Sequence, residues 1–137
     1  MRFAVIDTSV MVSAGIRPDT PPHALILNWA LKGQVQAITC PTIIEEYRQV
    51  VRRAKFRRYG FPSVWLEFLI EESLCLPDPT GGWVGDVPDS TDIPFLALAH
   101  TAGAWLVTGN LKHFPKSIRK DVHVVTPTEY LDYLKLS

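Results

Sequence analysis

The sequence predicts a single domain of the α/β class, with a central parallel sheet covered by helices on both faces. Short runs of continuously apolar residues alternate along the chain with longer segments whose apolar residues recur at helical spacing. Continuously apolar strands are typical of parallel sheets that are buried on both faces. The chain has 137 residues, 47% of them hydrophobic, which is enough for one core and short for two domains.

The first half of the chain is expected to contain two strands and three helices. Apolar runs, capping residues, prolines and glycines set the expected boundaries. We expect a strand over residues 3–6, a helix capped by Ser9 that reaches Gly15, a helix from Pro21 to Gly33, a strand over residues 35–40, and an amphipathic helix capped by Thr42 that continues to residue 56.

The second half is expected to add two helices and three strands around one loop. The loop, PDPTGGWVGDVPDS, is rich in Gly, Pro and Asp, which indicates a flexible segment. We expect a helix from Pro62, a strand in SLCLP, a helix capped by Thr91, strands in AWLVTG and HVVTP, and a closing helix that begins near Pro127 or Thr128.

Charge and cysteine content limit the possible environments and partners. The 14 basic residues balance 14 acidic ones, so any contact with a polyanion must be local. Cys40 and Cys75 lie in apolar runs without metal-binding spacing, which predicts buried, reduced thiols and a cytoplasmic protein. Residues 1–15 lack the basic region and small-residue cleavage site expected of a signal peptide, and no apolar stretch approaches the ~20 residues that span a membrane.

The run VIDTSV ends the first predicted strand at a carboxylate, Asp7, followed by the hydroxyls of Thr8 and Ser9. In parallel sheets, functional groups collect beyond the carboxyl ends of the strands. Asp7 is therefore a candidate functional residue, although an aspartate in this position could also simply cap the next helix.

A second candidate lies on the helix TIIEEYRQVVRRA. Its apolar residues form one stripe, with Glu45 nearly opposite the stripe and Glu46 at its margin. A side chain at the margin borders both the core and a cleft, so Glu46 is the better candidate. The alternative is an exposed glutamate that pairs with Arg53 or another nearby arginine.

A third group of acids precedes and begins the helix that contains LALA. Asp86, Asp89 and Asp92 lie there, and the strand in WLVTGN ends in Thr108, Gly109 and Asn110. Helix capping could account for Asp92 without chemistry, because a negative charge also benefits from the helix dipole. Two strand ends and two helix starts are nevertheless expected to meet at one place.

In their order and spacing, these segments resemble the PIN-domain ribonucleases, in particular the toxin components of prokaryotic type II toxin–antitoxin systems. The resemblance rests on VIDTSV, the helix carrying Glu46, DxxxLALA from Asp92, and LVTGN followed by HFP. It implies a three-layer α/β/α fold and one PIN-like nuclease domain over residues 1–137. By the same resemblance, Asp7, Glu46 and Asp92 are catalytic metal ligands, Asn110 is a fourth catalytic position that is an aspartate in many members, and Thr8, Ser9, Asp89 and Thr108 orient the groups around them.

The implied activity is metal-assisted cleavage of single-stranded RNA. Carboxylates packed at one cleft repel each other and need protons or a cation, and Mg²⁺ (or Mn²⁺) suits such a site because it also accepts water and phosphate oxygens. The resemblance further implies an antitoxin partner and a homodimer. Nothing in the sequence suggests a membrane partner.

The basic run RQVVRRAKFRR is a candidate RNA-binding surface beside Glu46. It supplies Arg48, Arg52, Arg53 and Lys55, and Trp83 in the loop could stack a base. The bland alternative is a solvated helix face. A Rossmann-type nucleotide-binding domain is disfavoured because no GxGxxG is present. A catalytically weak PIN-like module that binds RNA or protein remains an alternative, since Asn110 removes one acid.

Overall fold

The computed structural model describes residues 2–53, 63–83 and 85–135. Helices and strands alternate as the sequence predicts. In chain order the elements are β1 (Arg2–Ile6), α1 (Thr8–Ile16), α2 (Pro21–Leu27) with a π-helical turn (Asn28–Lys32), β2 (Val35–Thr39), α3 (Pro41–Val51), α4 (Ser63–Glu72), β3 (Leu74–Cys75), a 3₁₀ turn (Ser90–Asp92), α5 (Ile93–Ala102), β4 (Trp105–Val107), 3₁₀ turns at Leu111–His113 and Lys116–Ile118, β5 (Val124–Val125) and α6 (Pro127–Lys135).

The strands of the described chain form one parallel sheet in the order β3-β2-β1-β4-β5. The first strand is therefore central, and Ala4 pairs with Ala37 on one side and with Trp105 on the other. Helices cover both faces, which confirms the predicted three-layer α/β/α fold with a central parallel sheet. All carboxyl ends of the strands point to one edge, and Asp7 leaves the middle of that edge.

The core explains why β1 contains only apolar side chains after residue 3. Ala4, Val5 and Ile6 are at most 1% exposed. Helix α3 packs the predicted stripe onto the sheet, and its Tyr47 is fully buried. The Tyr47 hydroxyl donates a hydrogen bond to the carbonyl of Ile6. This contact ties α3 to the end of the central strand, one residue before Asp7.

Three predicted helix caps are wrong, because other residues cap these helices. Helix α1 already begins at Thr8, so Asp7 rather than Ser9 occupies the capping position.

Helix α3 begins at Pro41, whose fixed backbone suits a first helical position, and Thr42 lies inside the helix. The Asp78 carboxylate, from the loop after β3, accepts hydrogen bonds from the Thr42 amide at 3.0 Å and hydroxyl at 2.9 Å. The third wrong cap is Thr91, because the Asp89 carboxylate accepts from the Thr91 amide at 3.0 Å.

The end of α3 and the exposure of Cys75 also differ from the prediction. Helix α3 ends at Val51, before the predicted end at residue 56; residues 54–56, like Pro62, lie outside the described ranges. Cys40 is buried and free, as predicted for a reduced thiol, whereas free Cys75 is exposed because its short strand lies at the edge of the sheet. None of the helices in the described ranges is long and apolar enough to cross a membrane.

We predict that Tyr47→Phe lowers the free energy of unfolding by about 1 kcal/mol, because the buried Ile6 carbonyl loses its hydrogen-bond donor. Tyr130→Phe is the matched control, since Tyr130 is equally buried but its hydroxyl has no hydrogen-bond partner in the described chain. Urea denaturation of both variants tests this. Equal stability losses would contradict a specific role for the Tyr47 hydroxyl.

Candidate functional site

Asp7 lies where the central strand β1 ends, beside the end of its neighbour β4. It is 5% exposed. Its amide donates to the Val107 carbonyl at 2.8 Å, and its carboxylate oxygen Oδ2 accepts from the Thr108 hydroxyl at 2.7 Å and the Ser9 hydroxyl at 3.0 Å. The end of β4 thus holds the carboxylate that follows β1. The backbone after β4 also contributes to this network, because the Gly109 amide donates to the Ser9 hydroxyl at 3.2 Å.

Glu46 reaches the same place from helix α3. Its carboxylate oxygen Oε2 accepts a hydrogen bond from the hydroxyl of Thr8. Glu46 is half-buried, whereas its neighbour Glu45 is exposed and pairs with Gln49 along the helix surface. The helical phase predicted this difference.

Asp92 completes the group from the start of helix α5. It is 7% exposed, and its oxygen Oδ2 is buried without a hydrogen-bond partner in the described chain. The His113 nitrogen Nδ1 lies 3.1 Å from this oxygen but is not aligned as a hydrogen-bond donor. Donor atoms of Asp89, Asp92 and His113 all lie within 4.8 Å of one another.

One cleft of about 430 Å³ brings most of the sequence-predicted residues together. Its lining includes Asp7, Glu46, Asp92 and Asn110, together with Thr8, Ser9 and Asp89. Thr108 is fully buried beneath the cleft and reaches it through its hydrogen bond to Asp7. The backbone amide of Asn110 donates to the Thr108 hydroxyl at 3.1 Å, so residue 110 also closes the turn after β4.

Burial shifts the pKa of three of the acids that line the cleft above the usual carboxyl values, so each is harder to ionise than an exposed carboxyl. Burial raises the pKa of Asp7 above its usual value, and burial also raises the pKa of Glu46. Burial and the nearby Asp7 charge raise the pKa of Asp92 from 3.8 to about 6. Asp89 differs, because hydrogen bonds from Thr91 lower the pKa of its carboxyl. Crowded carboxylates and an unpartnered buried oxygen fit a divalent cation.

The basic residues in and after α3 have different surroundings. Arg53 lines the cleft, and its charge stabilises the ionised form of Glu46. Arg48 instead forms a bidentate pair with Glu67 of α4, at 3.0 and 2.6 Å. Arg52 is exposed, and Lys55 lies outside the described residues.

Trp83 is not free to stack a base, contrary to the sequence prediction. Its indole nitrogen donates to the Ile118 carbonyl at 2.7 Å, and the Lys120 ammonium lies 4.1 Å from the ring centroid. The ring is half-buried against the core. It therefore fastens the loop to the following segment of the chain.

His113 also lines the cleft; in the sequence it is the histidine near the predicted site, but the pattern around it predicts only a surface or hydrogen-bonded residue. Its isolated position in the sequence gives no metal-binding spacing. The available signal was its place three residues after Asn110, in the turn that follows β4. That turn carries the imidazole to Asp92, which begins a different element.

The chain belongs to the PIN domain family, whose model matches residues 4–112. No curated protein matches the chain. The matched residues include β1 from Ala4 onward, β2 to β4 and every acidic residue of the cleft. Helix α6 and strand β5 follow the matched region.

Solved structures share the fold at low sequence identity. VapBC2 from Rickettsia felis, bound to a DNA fragment from its promoter, has a TM-score of 0.59 at 16% identity, covering 90% of this chain and 98% of that chain. PAE2754 from Pyrobaculum aerophilum has a TM-score of 0.58 at 13% identity, covering 100% and 91%. FitAcB from Neisseria gonorrhoeae has a TM-score of 0.56 at 17% identity, covering 91% and 98%.

We predict that Asp92→Asn stabilises the metal-free protein at neutral pH. Because the pKa of Asp92 is raised from 3.8 to about 6, the folded protein binds more protons than the unfolded chain between these values. Its free energy of unfolding therefore falls as pH rises through this window. The variant lacks this loss, and a gain of ~1 kcal/mol would raise Tm by about 3–5 °C at pH 7.5 in EDTA.

Thermal unfolding from pH 4 to 7.5 measures this effect, and the advantage of Asp92→Asn should vanish near pH 4. Asp121→Asn is the control, since Asp121 is exposed and the pKa of its carboxyl is lowered by a hydrogen bond with His100. That variant should be no more stable than the wild type. A lower Tm for Asp92→Asn at pH 7.5 would contradict the electrostatic account.

Proposed function

We propose that this chain is a divalent-metal-dependent endoribonuclease that hydrolyses phosphodiester bonds of single-stranded RNA. The observation that carries the proposal is the convergence of Asp7, Glu46 and Asp92 on one cleft, where burial raises the pKa of each carboxyl. Membership of the PIN domain family supports a nuclease. Carboxylates that are costly to ionise together are suited to holding a cation.

In the proposed mechanism, Asp7, Glu46 and Asp92 would hold one or two Mg²⁺ (or Mn²⁺) ions. A bound divalent ion would lower the pKa of water and offset the charge of the scissile phosphate. Thr8 orients the Glu46 carboxylate, and Ser9 and Thr108 orient that of Asp7 through their hydrogen bonds. These contacts keep the acids in place before substrate arrives.

Asn110 lines the cleft with an uncharged amide. Its oxygen can accept a hydrogen bond from a water or a ribose hydroxyl, or coordinate a cation, but it adds no negative charge. Compared with a cleft that has an aspartate at position 110, this cleft has one negative charge fewer to attract a cation and one fewer to repel the RNA backbone. We propose that Asn110 takes part in catalysis through this amide.

RNA binding in this proposal depends on Arg53, whose position in the cleft suits a phosphate next to the bond that is cut. We propose that the cleft binds a single strand of RNA, because a basic side chain beside the acids can contact the strand's backbone. Arg52 and Lys55 are proposed to extend the contact. Arg48 would have to leave Glu67 to bind RNA, so we expect it to contribute less.

We further propose that the protein is the toxin of a cytoplasmic toxin–antitoxin pair. The sequence resemblance to such toxins supports this, as does the shared fold with chains in the VapBC2 and FitAcB structures. An antitoxin would inhibit the nuclease by covering the acidic cleft, and an arginine placed among the carboxylates would form charge-assisted hydrogen bonds. The expected homodimer stays a prediction.

We predict that Asp7→Asn and Glu46→Gln abolish Mg²⁺-dependent cleavage of an unstructured RNA, because each keeps the side-chain volume but removes a charge from the cleft. A loss of about 100-fold or more is expected for a group that holds a catalytic ion. Gel analysis of RNA fragments with purified protein measures cleavage, and EDTA should stop it.

The matched controls are Asp86→Asn and Glu45→Gln, which change exposed acids nearby. Both should retain near-wild-type cleavage. Equal losses in the Glu45 and Glu46 variants would contradict the assignment of Glu46. RNA binding without cleavage by the wild type at any Mg²⁺ or Mn²⁺ concentration would support the alternative, a binding module.

A separate prediction concerns the toxin role. Expression of the wild-type chain in a bacterial host should slow growth at least several-fold, because unrestrained cleavage of cellular RNA stops protein synthesis. The Asp7→Asn chain, at matched expression, should leave growth unchanged. Equal growth of both strains, with cleavage confirmed in the purified protein, would contradict the toxin role and leave the nuclease proposal intact.

A further inference from the structure

The mouth of the cleft holds a second set of donor atoms that only partly coincides with the proposed metal ligands. Asp89, Asp92 and His113 each offer one donor atom, and the three atoms lie within 4.8 Å of one another. Asp92 is shared with the acidic set, whereas His113 adds a nitrogen. The group draws on the turn before α5 and the turn after β4.

Oδ2 of Asp92 is buried but accepts no hydrogen bond from the described residues. The Asp92 side chain is 10% exposed, and its Oδ2 has no hydrogen-bond donor among the described residues. A buried carboxylate oxygen without a donor costs free energy unless another group compensates it. This oxygen lies 3.1 Å from the His113 Nδ1, which is not aligned to donate to it.

That spacing suits two ligands of one ion. Donor atoms at right angles on an ion, with bonds of ~2.1 Å, lie about 3.0 Å apart. The Asp89 carboxylate is held beside them, because the Thr91 amide and hydroxyl donate to its Oδ1 at 3.0 and 2.7 Å. Both contacts use the same oxygen, so Oδ2 of Asp89 accepts no hydrogen bond within the described chain.

We propose that His113 is a nitrogen ligand of the divalent-ion site, together with Asp89 and Asp92, and that it makes the site prefer a transition-metal ion to Mg²⁺. The proposal deepens the proposed function and rests on it for the role of the ion. Mg²⁺ prefers oxygen ligands, whereas imidazole nitrogen binds transition ions more strongly. Carboxylates alone make less of this distinction, because oxygen ligands suit Mg²⁺ and Mn²⁺ alike.

Mn²⁺ binding to the full chain, without RNA, tests the proposal. Pulsed electron paramagnetic resonance should detect coupling between bound Mn²⁺ and a histidine nitrogen in the wild type. The coupling should disappear in His113→Gln. By calorimetry, this variant should bind Mn²⁺ about tenfold more weakly, with Mg²⁺ affinity changed less than about twofold.

His100→Gln is the matched control. Its Nδ1 lies 2.5 Å from Oδ1 of Asp121, so it is also a histidine beside an aspartate, but with a single carboxylate and outside the cleft. This variant should keep the nitrogen coupling and both affinities. Circular dichroism checks that the variants fold. The test for nitrogen coupling in the wild-type protein stands even if a variant does not fold.

Absence of nitrogen coupling in wild-type protein with Mn²⁺ bound would overturn the proposal. Equal weakening of Mn²⁺ and Mg²⁺ in His113→Gln would overturn it too. The measurement of nitrogen coupling needs no RNA. Coupling in a protein that fails to cleave RNA would therefore refute the proposed nuclease activity and support His113 as a metal ligand. Cleavage without coupling would refute the ligand and keep the nuclease.

Discussion

The hydrogen bond from the Thr108 hydroxyl to Asp7 Oδ2 joins the end of the central strand β1 to the end of β4, and the cleft depends on it. It spans 101 residues of sequence and is buried. A buried carboxylate without such donors would be costly to ionise, whereas a charged acceptor strengthens the bond. The hydrogen bond therefore links the carboxyl ends of β1 and β4 and also lowers the cost of an ionised carboxylate at that position.

The rest of the cleft shows the same balance between hydrogen bonds and repulsion. Thr8 donates to Glu46, so consecutive residues after β1 serve two acids that reach the cleft from different elements. Among the described residues, none donates a hydrogen bond to Oδ2 of Asp92, and the pKa of this carboxyl is raised to about 6. Functional sites commonly sacrifice stability in this way, because groups that would satisfy the acids would also occupy the place of a ligand.

Local patterns predicted the sheet and the side of α3 that carries Glu46, because strand burial and helical phase are properties of short segments. Features that depend on distant segments were not predicted. Thr42 reads as a cap in sequence, but Asp78 caps that helix from a loop 36 residues away. Trp83 reads as an exposed loop residue, and His113 as an isolated histidine, until the fold places Ile118 and Asp92 beside them.

The strand order has a consequence for the assembly of the cleft. Strand β1 is made first, yet its neighbours are β2 and, about a hundred residues later, β4. A fragment that ends before β4 contains Asp7, Glu46 and Asp92 but lacks the Thr108 donor and one side of the central strand. Such non-local pairing folds late and cooperatively. The geometry of the cleft therefore depends on β4, and a fragment without it carries the three acids but not the Thr108 contact that positions Asp7.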